Sequence, residues 1–210
     1  MPHNARSALK SPKVFGIGFH KTGTSSLGKA LAILGYRVGG VTRQKDPDIA
    51  DKVLDVAWGT IDSQRYDAFQ DNPWPILFKE IDARYPGSKF VLTVRPTDKW
   101  IASQVRHFGT RTTPMREWIY GVGCPSGNED VYIARYERHN AEVREHFKDR
   151  PQDMIEMQFE RGDGWEKLCS LLDAPVPDQP WPHANAATAR ERRKKGLPGV
   201  WKRVRERLRR

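Results

Sequence analysis

Residues 20–26 read His-Lys-Thr-Gly-Thr-Ser-Ser, so a lysine, a glycine and four hydroxyls fall within one short stretch. It follows an apolar run, KVFGIGF (13–19), and precedes LGKALAILGY, in which Leu27, Ala30, Leu31 and Leu34 recur at helical spacing. A turn entering a helix exposes free backbone N–H groups and the positive end of the helix dipole. Lys21 adds a mobile positive charge. Thr22, Thr24, Ser25 and Ser26 add hydroxyl donors, and Gly23 lets an anion approach the backbone closely. The chemistry implied is a cradle for phosphate or sulfate. A bare Thr/Ser helix cap is the simpler reading, but a cap needs neither the lysine nor so many hydroxyls. The segment is not a Walker A loop, because His20 stands where that pattern has Gly. Nor is it a dinucleotide fingerprint: Gly16 and Gly18 begin one, but Lys21 replaces the third Gly.

The elements that must position this loop follow from periodicity and turn signals. Strands are expected at 13–19, 37–42, 67–71, 89–95 and 154–159, the clearest being KFVLTVR (89–95). Helices are expected at 27–34 (stopped by Gly35), 46–57, 74–85 (stopped by Pro86-Gly87), 97–108, 129–147 and 165–172. Residues 173–185 hold four prolines and read as an extended connector. Alternating strands and helices predict an α/β domain of three layers, a mostly parallel sheet with helices on both faces. Ligands of such sheets bind beyond the carboxyl ends of the strands, which directs attention to the residues after Phe19, Asp71 and Arg95.

The loop resembles the 5′-phosphosulfate loop of sulfotransferases that use 3′-phosphoadenosine 5′-phosphosulfate (PAPS), roughly (P/H)-K-(S/T)-G-T-(T/S) after the first strand. Those enzymes carry an Arg at the end of a later strand and a Ser eight residues on, both gripping the 3′-phosphate. Here TVRPTDKWIAS places Arg95 and Ser103 at that spacing. The stretches DNPWPILFKEIDARYPGSKFVLTVRPTDKW, YERHNAEVREHF and GDGWEKLCSLLDAPVPDQPWPHAN also resemble a sulfotransferase-like subgroup. The resemblance covers about residues 13–185 and implies a P-loop NTPase-like sulfotransferase fold. It also implies PAPS as co-substrate, 3′,5′-adenosine bisphosphate as product, and an acceptor hydroxyl on a small molecule or glycan. No metal is implied, since Lys and Arg can meet the donor's charge. An Arg fork suits a phosphate, although a strand-end Arg can equally pair with a carboxylate.

Lys21 is the candidate for stabilising the leaving group. In relatives the base is a His or Glu at a strand end between the two phosphate motifs. This chain has Asp71 there, before Asn72-Pro73, where an Asx-type turn is the alternative reading. His20 and Glu80 are rival bases, and His107 reads as a surface helix residue. Phe159-Glu160 stands where relatives have a Tyr-Glu pair near the nucleotide. Trp165 reads as core packing ahead of stacking on adenine. Residues 194–202, KKGLPGVWK, resemble a C-terminal R-K-G-x-x-G-D-W-K segment that closes on the nucleotide. By that resemblance Lys194, Lys195 and Gly196 would contact the 3′-phosphate. A basic amphipathic helix is the other reading of this segment.

Composition sets the frame. The chain has 210 residues, enough for one sizeable domain. Residues 1–12 read as a leader, 13–185 as the domain and 186–210 as a basic C-terminal segment. Residues 190–210 carry +9 of the formal +10, so the body is nearly neutral. Such a tail suits nucleic acid, a membrane surface or a phosphorylated ligand. Two cysteines make no disulfide framework, and no signal peptide or membrane span is evident, which leads to the expectation of a cytoplasmic protein. Two rival functions remain. A P-loop kinase or NTPase would bind ATP and Mg²⁺, but KFVLTVR ends in Arg and not in a Walker B Asp. A nucleic-acid-binding protein would use the basic tail and survive loss of Lys21.

Overall fold

The structure is a computed structural model that describes residues 12–40 and 43–184. Five strands form one sheet: β1 (Val14–Gly16), β2 (Val38–Gly39), β3 (Ala68–Phe69), β4 (Lys89–Thr93) and β5 (Met154–Met157). Their order is β2-β3-β1-β4-β5, and every adjacent pair is parallel. The helices are α1 (Thr24–Ile33), α2 (Ile49–Asp62), α3 (Phe78–Arg84), α4 (Thr97–Phe108), α5 (Pro114–Tyr120), α6 (Glu129–Phe147) and α7 (Trp165–Leu172). The three-layer α/β architecture expected from the sequence is the one observed.

Alternation along the strands builds two cores. Phe15, Phe69 and Phe90 lie in register across three strands and stack, with centroids 4.9 and 5.7 Å apart. They face α2, α3, α5 and α6 through Ile61, Ile81, Ile119 and Phe147. On the opposite face Val14, Ala68, Val91 and Met157 meet Leu27 and Leu31 of α1 and Leu168 and Leu172 of α7. Aromatic rings buried at this density bring large apolar area out of water, which is why strands this short hold a sheet together.

Several boundaries differ from the sequence expectation. Residues 74–77 are turns, and α3 starts only at Phe78. Pro75 lacks an N–H and restricts Trp74, so the chain makes i→i+3 turns (Ile76 N to Pro73 O, 3.0 Å) before the helix can start. α2 starts at Ile49 and reaches Asp62, carried by Ile49, Val53, Ala57 and Ile61 on its buried stripe. α5 was not foreseen. Its start is written as Thr113-Pro114: the Thr113 side chain accepts from Arg116 N, with Pro114 in the first turn. Strands are trimmed to their paired cores. No helix among the described residues is long and apolar enough to cross a membrane.

Two contacts fix the strand ends that carry the site. His139 of α6 is fully buried, stacks on Phe19 at 4.4 Å and donates from Nε2 to Ile17 O at 2.7 Å. Tyr136, stacked on Trp100 at 4.1 Å, uses its hydroxyl on both backbone groups of Arg95, each at 2.9 Å.

Candidate active site

The chain leaves β1 towards β2 and leaves β4 towards β5, on opposite sides, so the sheet's switch point lies between β1 and β4. A crevice is expected at their carboxyl ends. A cleft of about 860 Å³ opens there. The two strand ends are locked together beneath it. A Cβ on Gly18 would lie 2.1 Å from Thr93 Oγ1, so only glycine passes. The Thr22 hydroxyl sits 2.5 Å from Phe19 O and 2.6 Å from Thr93 Oγ1.

All seven residues 20–26 line the cleft, as do Asp71, Arg95 and Ser103. Lys21 has φ +73° and Gly23 φ +106°, a left-handed geometry that turns the backbone of the loop back on itself. At Gly23 the requirement is double, because a Cβ would meet the Phe159 ring at 2.4 Å. Gly23 caps α1 without any side-chain cap, which leaves the first turn open to an anion. The four hydroxyls do not play one role. Thr22 is spent on the scaffold, Thr24 bonds the Asp71 carboxylate, and Ser26 accepts from Ala184 N at 3.1 Å. Ser25 is exposed to the cleft.

Asp71 follows β3 with φ +70°, a strained conformation for a non-glycine residue. Burial pushes its carboxyl up to about 6, while the Asn72 N–H, the Lys21 charge and the Thr24 hydroxyl pull the other way. Asn72 N, the next residue, donates to Asp71 Oδ1 at 3.0 Å, but the Asx-turn bond two residues on is not made, because Pro73 has no N–H. Of its side chain 19% stays exposed, and Asp71 lines the cleft. His20 sits beside it. Burial, with the charges of Arg116 and Lys21, lowers the imidazole to about 3, so it is neutral at ordinary pH. Its Nδ1 is 2.9 Å from Asn72 Nδ2, and its backbone oxygen accepts from Trp100 and Gln104. Glu80 is exposed on α3 and does not line the cleft, which removes it as a rival base.

Arg95 lines the cleft and also pairs with a carboxylate: its Nε donates to Glu160 Oε1 at 2.8 Å, and Lys99 donates to Glu160 Oε2 at 2.9 Å. The carboxylate pairing is thus present at a residue that also faces the cleft. Ser103 is buried on the cleft side of α4, two turns from Arg95. Trp165 is away from the cleft. It is packed against Trp181 at 4.9 Å and bonds Gln179 O at 2.7 Å, so it belongs to the core. Phe159 is the aromatic residue on that wall.

His107, read from sequence as a surface residue, is half-buried and lines the cleft. Arg106, Phe108, Met115 and Arg116 also line it and were missed. The Thr113-Pro114 cap was the one sequence signal for α5, and nothing local said that α5 folds back over the loop. His183, at the end of the proline-rich connector, closes one edge. Lys194, Lys195, Gly196 and the rest of the basic tail lie outside the described residues.

A family model described as a sulfotransferase domain matches residues 13–126 and 111–190. Among curated proteins, the "Ava biosynthesis cluster protein M" of Aspergillus versicolor is 26% identical over 144 residues, covering 56% of this chain and 54% of the relative. The chain thus spans about half the length of the curated relative it matches.

Proposed function

Since the chain belongs to the sulfotransferase domain family, we propose that it moves a sulfuryl group from PAPS to the hydroxyl of a small-molecule or glycan acceptor. The observation that carries this reading is that two groups of residues suited to anions line one cleft. Lys21 and the open first turn of α1 make one, and Arg95 with Ser103 makes the other. A donor with a 5′-phosphosulfate and a 3′-phosphate needs two such sites.

Residues 20–26 would hold the phosphosulfate and Arg95 and Ser103 the 3′-phosphate, with Phe159 against the nucleoside. Bound PAPS supplies an activated sulfuryl group. Lys21 places a positive charge where negative charge develops on the leaving oxygens. Asp71, within electrostatic reach of Lys21, accepts the acceptor's proton. A carboxyl held near 6 is ionised at neutral pH yet is a stronger base than an ordinary Asp. His20 donates structure here and takes no proton, because its neutral form is so strongly favoured. Glu160 holds the Arg95 fork towards the cleft. Lys194, Lys195 and Gly196 follow in the chain after Ala184, which is anchored on Ser26. That anchor supports the reading of the tail as a cover for the nucleotide.

Calorimetry with 3′,5′-adenosine bisphosphate, ATP and NAD on the full chain tests the reading. The bisphosphate should bind, and ATP and NAD should not displace it. Lys21→Ala and Arg95→Ala should each weaken it by about 2–5 kcal/mol, the usual cost of removing one partner of a desolvated charge pair. Unchanged affinity in both variants removes the sulfotransferase assignment of this cleft.

A further inference from the structure

The residues around the loop fall into two contact groups. Phe159 presses on Gly23 and leads to Glu160 and Arg95. At the other end of the loop, the Phe108 ring lies edge-on to His20, with centroids 5.0 Å apart, and leads to Arg116. The first group belongs to the nucleotide reading above. The second has no role in it.

Arg116 is 5% exposed yet lines the cleft. Its Nε donates to Gly123 O at 3.0 Å, a terminal nitrogen donates to Arg111 O, and the guanidinium carbon lies 4.5 Å from the centre of the Phe108 ring. Carbonyls, the Tyr132 hydroxyl and a ring face orient the charge but do not neutralise it. Among the described residues Arg116 takes part in no ion pair. Arg150, by contrast, meets the Asp82 carboxylate. A charge withdrawn from water without a counter-charge is costly, and burial accordingly pulls Arg116 down. Fixed, desolvated and facing a cleft, such a guanidinium is built for an oxyanion that arrives from outside. Arg106, one turn beyond Ser103, adds a second positive charge to the cleft.

We propose that the acceptor is itself anionic: a hydroxyl compound whose carboxylate or comparable oxyanion sits on Arg116, with its apolar body against Phe108 and Met115. This deepens the sulfotransferase reading and rests on it. The oxyanion at Arg116 would anchor the far end of the acceptor and leave its hydroxyl free to reach the loop.

The test uses matched pairs titrated into the full-length protein, with and without saturating 3′,5′-adenosine bisphosphate. The pairs are 4-(hydroxymethyl)benzoate and its amide, 4-hydroxyphenylacetate and its amide, and glycerol 1-phosphate and glycerol. The anionic member of at least one pair should bind about tenfold tighter or more in the nucleotide-filled protein, as a charge-assisted bond to a buried group requires. Arg116→Gln should erase that preference and leave bisphosphate affinity unchanged. If Arg116→Gln does not fold, Arg116→Lys, which keeps the charge but loses the fork, should reduce the preference. Equal affinities within every pair, or a preference indifferent to Arg116, overturn the proposal. Failure of the bisphosphate itself to bind overturns the sulfotransferase reading instead, and the titrations without nucleotide still decide the anion site.

Discussion

The Asp71 carboxyl offers a quantity that can be measured without knowing the acceptor. Its value is about 6, against 3.8 for an ordinary Asp, and burial is the first cause. Three groups oppose burial: the Asn72 N–H, the Lys21 charge and the Thr24 hydroxyl. Replacing Lys21 by Met removes one of them, so the carboxyl should rise further, above 6. Binding 3′,5′-adenosine bisphosphate should also raise it, because added negative charge disfavours the carboxylate. The consequence for rate follows from the fraction ionised. At pH 5 a group titrating near 6 is roughly one-tenth ionised, whereas at 3.8 it would be more than about nine-tenths ionised. Transfer should therefore climb about tenfold from pH 5 to its plateau above 7, and Asp71→Asn should lower the plateau by about 10²–10⁴-fold. The direct assay is ¹³C NMR titration of Asp-labelled protein, with Asp71→Asn to assign the resonance. A midpoint below 5, or one that falls in Lys21→Met, refutes the electrostatic argument. An acidic limb that persists in Asp71→Asn refutes its role as base.

Gly23→Ala forces a Cβ onto φ +106° and into the Phe159 ring. The backbone term alone costs about 1–2 kcal/mol, so bisphosphate affinity should fall about tenfold or more by calorimetry. Adding Phe159→Ala relieves the clash but not the φ, and should restore only part of it. Stability should fall on acidification from pH 6.5 to 4, read as the urea midpoint. His20 and His139 have folded values of about 3 and about 4, below the 6.5 of the free side chain, so the unfolded chain takes up their protons and their contribution, full above 6.5, is lost as pH falls. Asp71 has the opposite sign, its contribution being lost as pH rises from 3.8 to 6, and it offsets one of the two histidines. His139→Gln, which can still reach Ile17 O, should flatten the slope; an unchanged slope would mean that His139 is not the neutral buried group described.

The sequence by itself determined what local chemistry can determine. The helices α4, α6 and α7 lie at the expected 97–108, 129–147 and 165–172, and the apolar spacing of Leu27, Ala30 and Leu31 marked α1, which starts a turn earlier at Thr24. The loop at 20–26 and the strand end at Arg95 stood out by residue type and spacing, and both line the cleft. The late start of α3 and the existence of α5 were less so, since two prolines and one Thr-Pro cap had to outweigh the apolar pattern around them. Other facts had no local signal at all. The Thr22 hydroxyl is engaged by Thr93, a residue on another strand. Arg95 meets Glu160, and His20 meets Phe108 and Arg116, across separations in sequence that no motif spans. The neutral state of His20 and the raised carboxyl of Asp71 come from burial, and burial is decided only when α4 and α5 close over the loop. Residue types fix which charges a chain carries; the packing of distant elements fixes which of them keep water and which are left waiting for a partner.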